Sequence, residues 1–129
     1  MATTLVTVAF LVRDYDEAIA WFTKDLKFQL LDDVDQGEGK RWVVVAPPSG
    51  KGAKLLLAKA ANAEQEKAIG NAAGGRVAFF LHTDSFDADH AQMLRAGVRF
   101  RETPRSEAYG KVAVFEDLYG NGWDLIGPA

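Results

Sequence analysis

The chain states one pattern twice. Displacing the 129-residue sequence by 70 positions without a gap sets Phe10 on Phe80, Leu11 on Leu81, Asp14 on Asp84, Val44 on Val114, Gly50 on Gly120 and Leu55 on Leu125. The identities are sparse, but the order of structural signals is the same in both halves, and that order restricts the available folds. In the first half, 4–12 is an apolar, β-branched run and predicts a strand. Asp14 with Glu17 forms a capping-box-like start, and Ala18, Ile19, Phe22 and Leu26 recur at helical spacing, so 15–26 is a predicted helix. Further strands are expected at 28–33, 41–46 and 53–59, separated by the Gly37/Gly39 loop and the turn PPSGKG. The second half repeats this. A strand over 76–82 precedes a helix capped by Asp84 or Ser85, with Phe86, Met93 and Leu94 inward and Gly97 as its left-handed stop. Strands follow at 98–102, 111–116 and 122–126, with TPRSEAYG as a loop and DLYGN as a turn.

Each half therefore reads as strand, helix, strand, strand, strand. The expected fold is α+β: two tandem βαβββ modules, 1–59 and 76–129, joined by a linker over 60–75 whose Ala and Glu content supports a short helix. Neither module closes alone, because a helix covers one face of its sheet and leaves the other bare. Pairing two such sheets about a pseudo-twofold axis gives one structural domain, an open half-barrel with a central cleft, the usual place for a small-molecule site. Pairing within one chain and exchange between two chains both satisfy the pattern.

Composition removes several classes of function. Hydrophobic residues are 48% of the chain, enough for a core, and the net charge is −3, with no basic run to meet nucleic acid or an anionic membrane. The absence of cysteine excludes disulfides, thiolate metal sites and cysteine nucleophiles. No apolar stretch approaches the roughly 20 residues needed to span a bilayer. The opening residues alternate like a strand and lack a signal-peptide pattern, so a cytoplasmic protein is expected.

Two stretches, VAFLVRDYDEAIAWFTKDLKF and YGKVAVFEDLYGNGWDLI, carry a family likeness. With the module duplication, they resemble the vicinal oxygen chelate superfamily, which holds glyoxalase I, bleomycin-resistance proteins, fosfomycin-resistance enzymes and extradiol dioxygenases. The second stretch resembles that family's Asp-Pro-x-Gly-Asn turn and closing strand, with Leu118 where proline is common. The first ends in Leu26, Lys27, Phe28 where the family reads Leu-Gly-Phe. The resemblance implies a homodimer, and in the family's enzymes a divalent metal held by His or Gln on the first strand of each module and Glu on the last. The 70-residue shift places those positions at Thr7, Val77, Lys54 and Asp124. An alkyl group, an ammonium and a neutral hydroxyl are poor company for a cation, so neither a metal nor another cofactor is expected.

Asp124 and Lys54, equivalent under the shift, either face each other across the cleft floor as an ion pair, with Thr7 as a further donor, or bend outward to solvent if the strand-end register slips. The function expected is binding of a small aromatic or amphipathic molecule, as the bleomycin-resistance branch implies. The alternative is a lyase or dioxygenase-type enzyme using an atypical metal, or Asp124 as base and Lys54 as electrophile. A third reading fills the cleft with side chains and leaves a partner-binding role. The ligand-contact candidates are Thr7, Ala9, Trp42, Lys54, Val77, Phe79, Arg105, Tyr109, Glu116 and Asp124. Phe79 and Leu81 are placed on Val77's face by alternation, which turns His82 away. Trp42 reads as core or cleft wall, Arg105 as a contact for an anionic ligand, and Glu116 as a contact or a solvated strand end. Trp123 reads as core, and His90, in DADH, as part of a solvated helix face.

Overall fold

Asp14 begins the first helix as its sequence requires: its carboxylate accepts the Glu17 backbone N–H at 2.8 Å. The computed structural model, which describes residues 1–128, builds from that point two units, Met1–Ile69 and another from Gly70 onward. In the first, β1 (Thr7–Val12) leads into α1 (Tyr15–Ala20), which continues as a π-helical turn, Trp21–Asp25. Strands β2 (Gln29–Asp35), β3 (Arg41–Ala46) and β4 (Lys54–Lys59) complete a sheet of order β1-β4-β3-β2, with β1 and β4 parallel. Phe10, Val12, Val43, Val45, Leu55 and Leu57 bury one face under Ala18, Phe22 and Phe28. Arg41 ties β3 to the first helical turn, holding Asp16 at 2.9 Å and Asp33 at 2.7 Å. The expected linker contains α2 (Ala63–Ala68), capped by Asn62.

The second unit repeats the plan with additions. Its elements are β5 (Val77–His82), α3 (Phe86–Arg95), β6 (Arg99–Phe100), β7 (Arg105–Glu107), β8 (Gly110–Glu116) and β9 (Gly122–Gly127). The sheet order is β5-β9-β8-β6, and β7 also pairs with β8. The expected loop TPRSEAYG thus contains a short strand, because Arg105, Ser106 and Glu107 extend β8's ladder. A column of rings forms the core: Phe79 on Trp123, Trp123 on Phe115, Phe115 on Phe100, with centroids 4.5, 5.7 and 5.6 Å apart. His90 joins this column, stacked on Phe86 and edge-on to Phe100 at 4.5 Å, rather than standing on a solvated helix face. Leu94, expected inward, is 51% exposed, while Met93 and Phe86 are buried. Ser85 rather than Asp84 holds the N-cap position, without a side-chain capping bond. Gly97 stops α3 with φ of 91°, which lets the Val98 N–H reach back to Met93. Lys111 holds Asp87 at 3.0 Å, as Arg41 holds Asp16.

Both sheets are open, and neither closes into a barrel. Among the described residues no helix is long and apolar enough to cross a membrane.

Candidate ligand-binding face

Residues paired in register on adjacent strands project to the same side of a sheet. The pairing of β5, β9, β8, β6 and β7 therefore lays out three rows on the face of the second sheet turned away from α3. The first is Val77, Gly122, Glu116 and Arg99; the second is Phe80, Asp124 and Val114; the third is His82, Ile126, Val112 and Arg105. A bulge in β5 between Val77 and Phe79 decides the membership. An extra residue reverses every side chain after it. Val77 lies on the open face as expected, but Phe79 and Leu81 turn to the core, where Phe79 packs on Trp123. Phe80, 60% exposed, takes the place expected of Phe79, and His82 comes onto Asp124's face instead of away from it. Trp123 is buried as expected.

Asp124 is the one carboxylate in its row. Its Oδ1 is buried and has no hydrogen-bond partner. Burial pushes its carboxyl above the ordinary value; Arg105 draws it back down and Glu102 pushes it further up. Arg105, expected to await an anion, is already engaged. It holds Glu107 at 2.6 Å and Glu102 at 3.2 Å, and Glu107, Tyr109 and Glu102 all raise its pKa. Glu102 in turn accepts the Val114 N–H at 3.1 Å. Tyr109 stands at this rim, 62% exposed. Glu116 is neither a bare strand end nor a free contact, since Arg101 binds it at 2.9 Å and Arg99 at 3.6 Å.

Asp117, the acid of the family-like turn but not among the expected site residues, holds the turn that delivers Asp124. Its buried carboxylate accepts the Tyr119 and Asn121 backbone N–H groups, the Asn121 side-chain amide and the Trp123 indole N–H, at 2.8–3.1 Å. Gly120 closes the turn with φ of 87° and donates to the Asp117 carbonyl at 3.0 Å. Asn121 also accepts the Ala72 N–H at 3.0 Å, tying the turn to the start of the unit. The signal was present in DLYGNGW, an acid two residues before a tyrosine and six before a tryptophan. A carboxylate with four donors fixes where β9 starts, and so which residue of β9 lies beside Phe80.

In the first sheet the helix-free face carries Thr7 beside Lys54, then Ala9, Leu56, Val44 and Asp32 in one row, with Val34 beside Trp42. Thr7, Ala9, Trp42 and Lys54 thus share a face, and Trp42, 40% exposed, is not core. Register corrects the equivalence of Lys54 with Asp124. Thr7 pairs with Lys54 as Val77 pairs with Gly122, and Ala9 with Leu56 as Phe80 with Asp124. Val44 pairs with Leu56 as Val114 with Asp124. The counterpart of Asp124 is therefore Leu56, and that of Lys54 is Gly122. The gapless shift failed because residues 47–53 join β3 to β4 whereas only 117–121 join β8 to β9. In the strand ladders, therefore, Lys54 and Asp124 do not hold equivalent positions.

The same rows test the fit of a family-type metal. Beside Lys54 stands Thr7; beside Gly122 stands Val77; Asp124 stands between Phe80 and Val114. On the second sheet, one carboxylate among a phenyl ring and alkyl groups is a poor donor set for a divalent ion. Among the described residues no three His, Cys, Asp or Glu side chains gather at one point.

Residues 4–125 match the Glyoxalase/Bleomycin resistance protein/Dioxygenase superfamily. The chain belongs to that superfamily. An uncharacterized protein of Shewanella frigidimarina (strain NCIMB 400) is 52% identical over 127 residues, 98% of this chain and 94% of its own. The crystal structure of UcmS2 is similar at 29% identity, with a TM-score of 0.84 and 98% of each chain covered. TnmS3, an antibiotic binding protein from Streptomyces sp. CB03234, is similar at 26% identity, with a TM-score of 0.77, covering 99% of this chain and 98% of its own. As a superfamily member, the chain carries the fold of these proteins over nearly its whole length.

Proposed function

We propose that the chain binds a small aromatic or amphipathic molecule on the open face around Asp124, without a family-type metal, and acts by holding that molecule rather than converting it. The observation that carries this reading is the partnerless, buried Oδ1 of Asp124 beside the exposed ring of Phe80. A buried acceptor without a donor costs stability, on the order of 1–3 kcal/mol, and a ligand donor removes that cost. The likeness to an antibiotic binding protein supports the same class of partner. The reading places the protein in the cytoplasm and takes a second copy of the chain as its macromolecular partner. Strand β2, a sheet edge exposed along its length with Leu30, Leu31 and Val34 on it, supports a need for cover. The test is calorimetric titration with a panel of planar aromatic compounds, run beside metal analysis of the purified protein. Saturable binding by metal-free protein is expected; stoichiometric tightly held metal would overturn the reading.

A lyase or dioxygenase-type activity is the second reading, and the upward shift of the Asp124 carboxyl favours it, since such a group exchanges protons nearer neutrality. Turnover of glyoxal or catechol substrates above the buffer rate, lost in Asp124→Asn, would replace binding as the function.

A further inference from the structure

We propose that Asp124 selects what this face accepts: a flat aromatic ring system carrying a hydroxyl or amine hydrogen-bond donor at its edge, with the anionic counterpart turned away. The inference rests on the ligand-binding reading above and adds the chemistry of the ligand. An ionised carboxylate only accepts hydrogen bonds, and Asp124 Oδ1 has none to accept from the protein. The residue as a whole is partly exposed. Rotation about its terminal torsion, which has a broad minimum, turns an oxygen toward the open face. Phe80, its in-register neighbour, offers the exposed ring against which a flat molecule lies. On Asp124's other side Val114 adds an apolar wall. A ligand seated here meets carbon on both flanks and one acceptor between them.

Charge sets the second half of the preference. Arg105 is held by Glu102 and Glu107, and its charge already acts on Asp124 as well. On the other flank, Arg101 is bound to Glu116 and to the Gly120 carbonyl, and Arg99 also leans on Glu116. His82 lies one row away, beside Ile126. A ligand carboxylate would have to displace an existing partner before it found a cation, and it would lie beside Asp124. A neutral or cationic donor meets neither obstacle.

The experiment compares four compounds of one shape by calorimetric titration: 2-naphthol, 2-naphthylmethylamine, 2-methoxynaphthalene and naphthalene-2-carboxylate. With the wild-type chain, the naphthol and the amine are expected to bind about tenfold tighter than the methoxy compound, the gap a hydrogen bond to a charged acceptor supplies. The carboxylate is expected to bind weakest. In Asp124→Leu the gap closes to less than about threefold and the methoxy compound gains. Phe80→Ala weakens all four together. Asp124→Asn, close in shape, is the second variant and narrows the gap if Asp124→Leu fails to fold. Thermal melts separate selection from scaffolding, because a carboxylate that served the fold would lower the melting temperature of Asp124→Leu, whereas raised stability is expected. Equal binding of naphthol and methoxynaphthalene by the wild type, or a gap that survives in both Asp124 variants, overturns donor selection while aromatic binding stands. Binding of none of the four overturns both. Tighter binding of the amine than the naphthol assigns a cationic ligand, and the reverse a phenolic one; either supports the proposal.

Discussion

The two modules share an element order and differ in two small insertions of opposite consequence. The first has a bulge in β2, between Leu30 and Asp32, and a seven-residue connection from β3 to β4. The second has its bulge in β5 and a five-residue connection from β8 to β9, held by Asp117. The bulge in an edge strand of the first unit leaves Thr7, Ala9 and Leu56 on one regular face. The bulge in β5, with the shorter turn, brings a phenyl ring and a carboxylate side by side. Duplication supplied two similar faces, and a change of one or two residues in register gave them different chemistry. A sheet allows this because its side chains alternate with period two, so a single inserted residue exchanges core for surface.

The comparison breaks most visibly at the turn. Asp117→Ala should destabilise the chain by roughly 3–4 kcal/mol, since it strands four donors at once, two of them on buried Asn121. Pro47→Ala in the first module's turn should cost less than about 1 kcal/mol. Urea unfolding of both variants checks this, and similar losses would show that Asp117 is not what sets the second register. Placing a carboxylate in the first module comes next. Leu56→Asp, at the position equivalent to Asp124, should cost about 2 kcal/mol by burying a charge without a donor.

The reciprocal change has the opposite sign. Asp124→Leu should stabilise the chain by about 1–2 kcal/mol near neutral pH. Burial raises the folded-state pKa of Asp124 above its unfolded value near 3.8, so the folded state binds more protons between those two values. Stability attributable to this group is therefore greatest below the unfolded pKa and falls as pH rises through the folded one. The difference between wild type and Asp124→Leu should grow from pH 3 to pH 7 in thermal melts, and a constant difference would refute the burial argument.

The smallest effect lies in the ion pairs that tie each sheet to its helix. Arg41 lowers the Asp33 pKa, chiefly by its hydrogen bond, so that pair's contribution is present above the unfolded value and is lost as pH falls through the folded one. Arg41→Ala should cost no more than about 1 kcal/mol at neutral pH, with the cost vanishing in acid, and Lys111→Ala should cost less. Equal losses in the two variants, measured by chemical denaturation, would mean that the bidentate hold of Arg41 on Asp33 adds nothing.

Several features were legible in the residues alone. Asp14 announced its helix, Gly97 ended one, and the valines of 41–46 formed a strand at the bounds their pattern marked. The family followed from FEDLYGN and the repeated order. Other features were not. VAFFLH is apolar at nearly every position, so its alternation carries no mark of where an extra residue enters, and the exchange of Phe79 for Phe80 was invisible. His90 looked solvated beside two acids, Asp87 and Asp89, because only the fold brings Phe100 to its ring. Arg105 looked free because its partners, Glu102 and Glu107, meet it only once β7 joins β8.

Local propensity and periodicity therefore determined the elements, their order and the superfamily, because those depend on neighbours within a few positions. Register between strands decided which side chains share a face, whether Asp124 answers to Lys54 or to Leu56, and which charges are already paired. Register is fixed by long-range ladders, a buried carboxylate in a turn and one bulge, and each binds residues far apart in the chain. A one-residue shift costs the sequence pattern almost nothing, yet it decides what the open face of the second sheet presents.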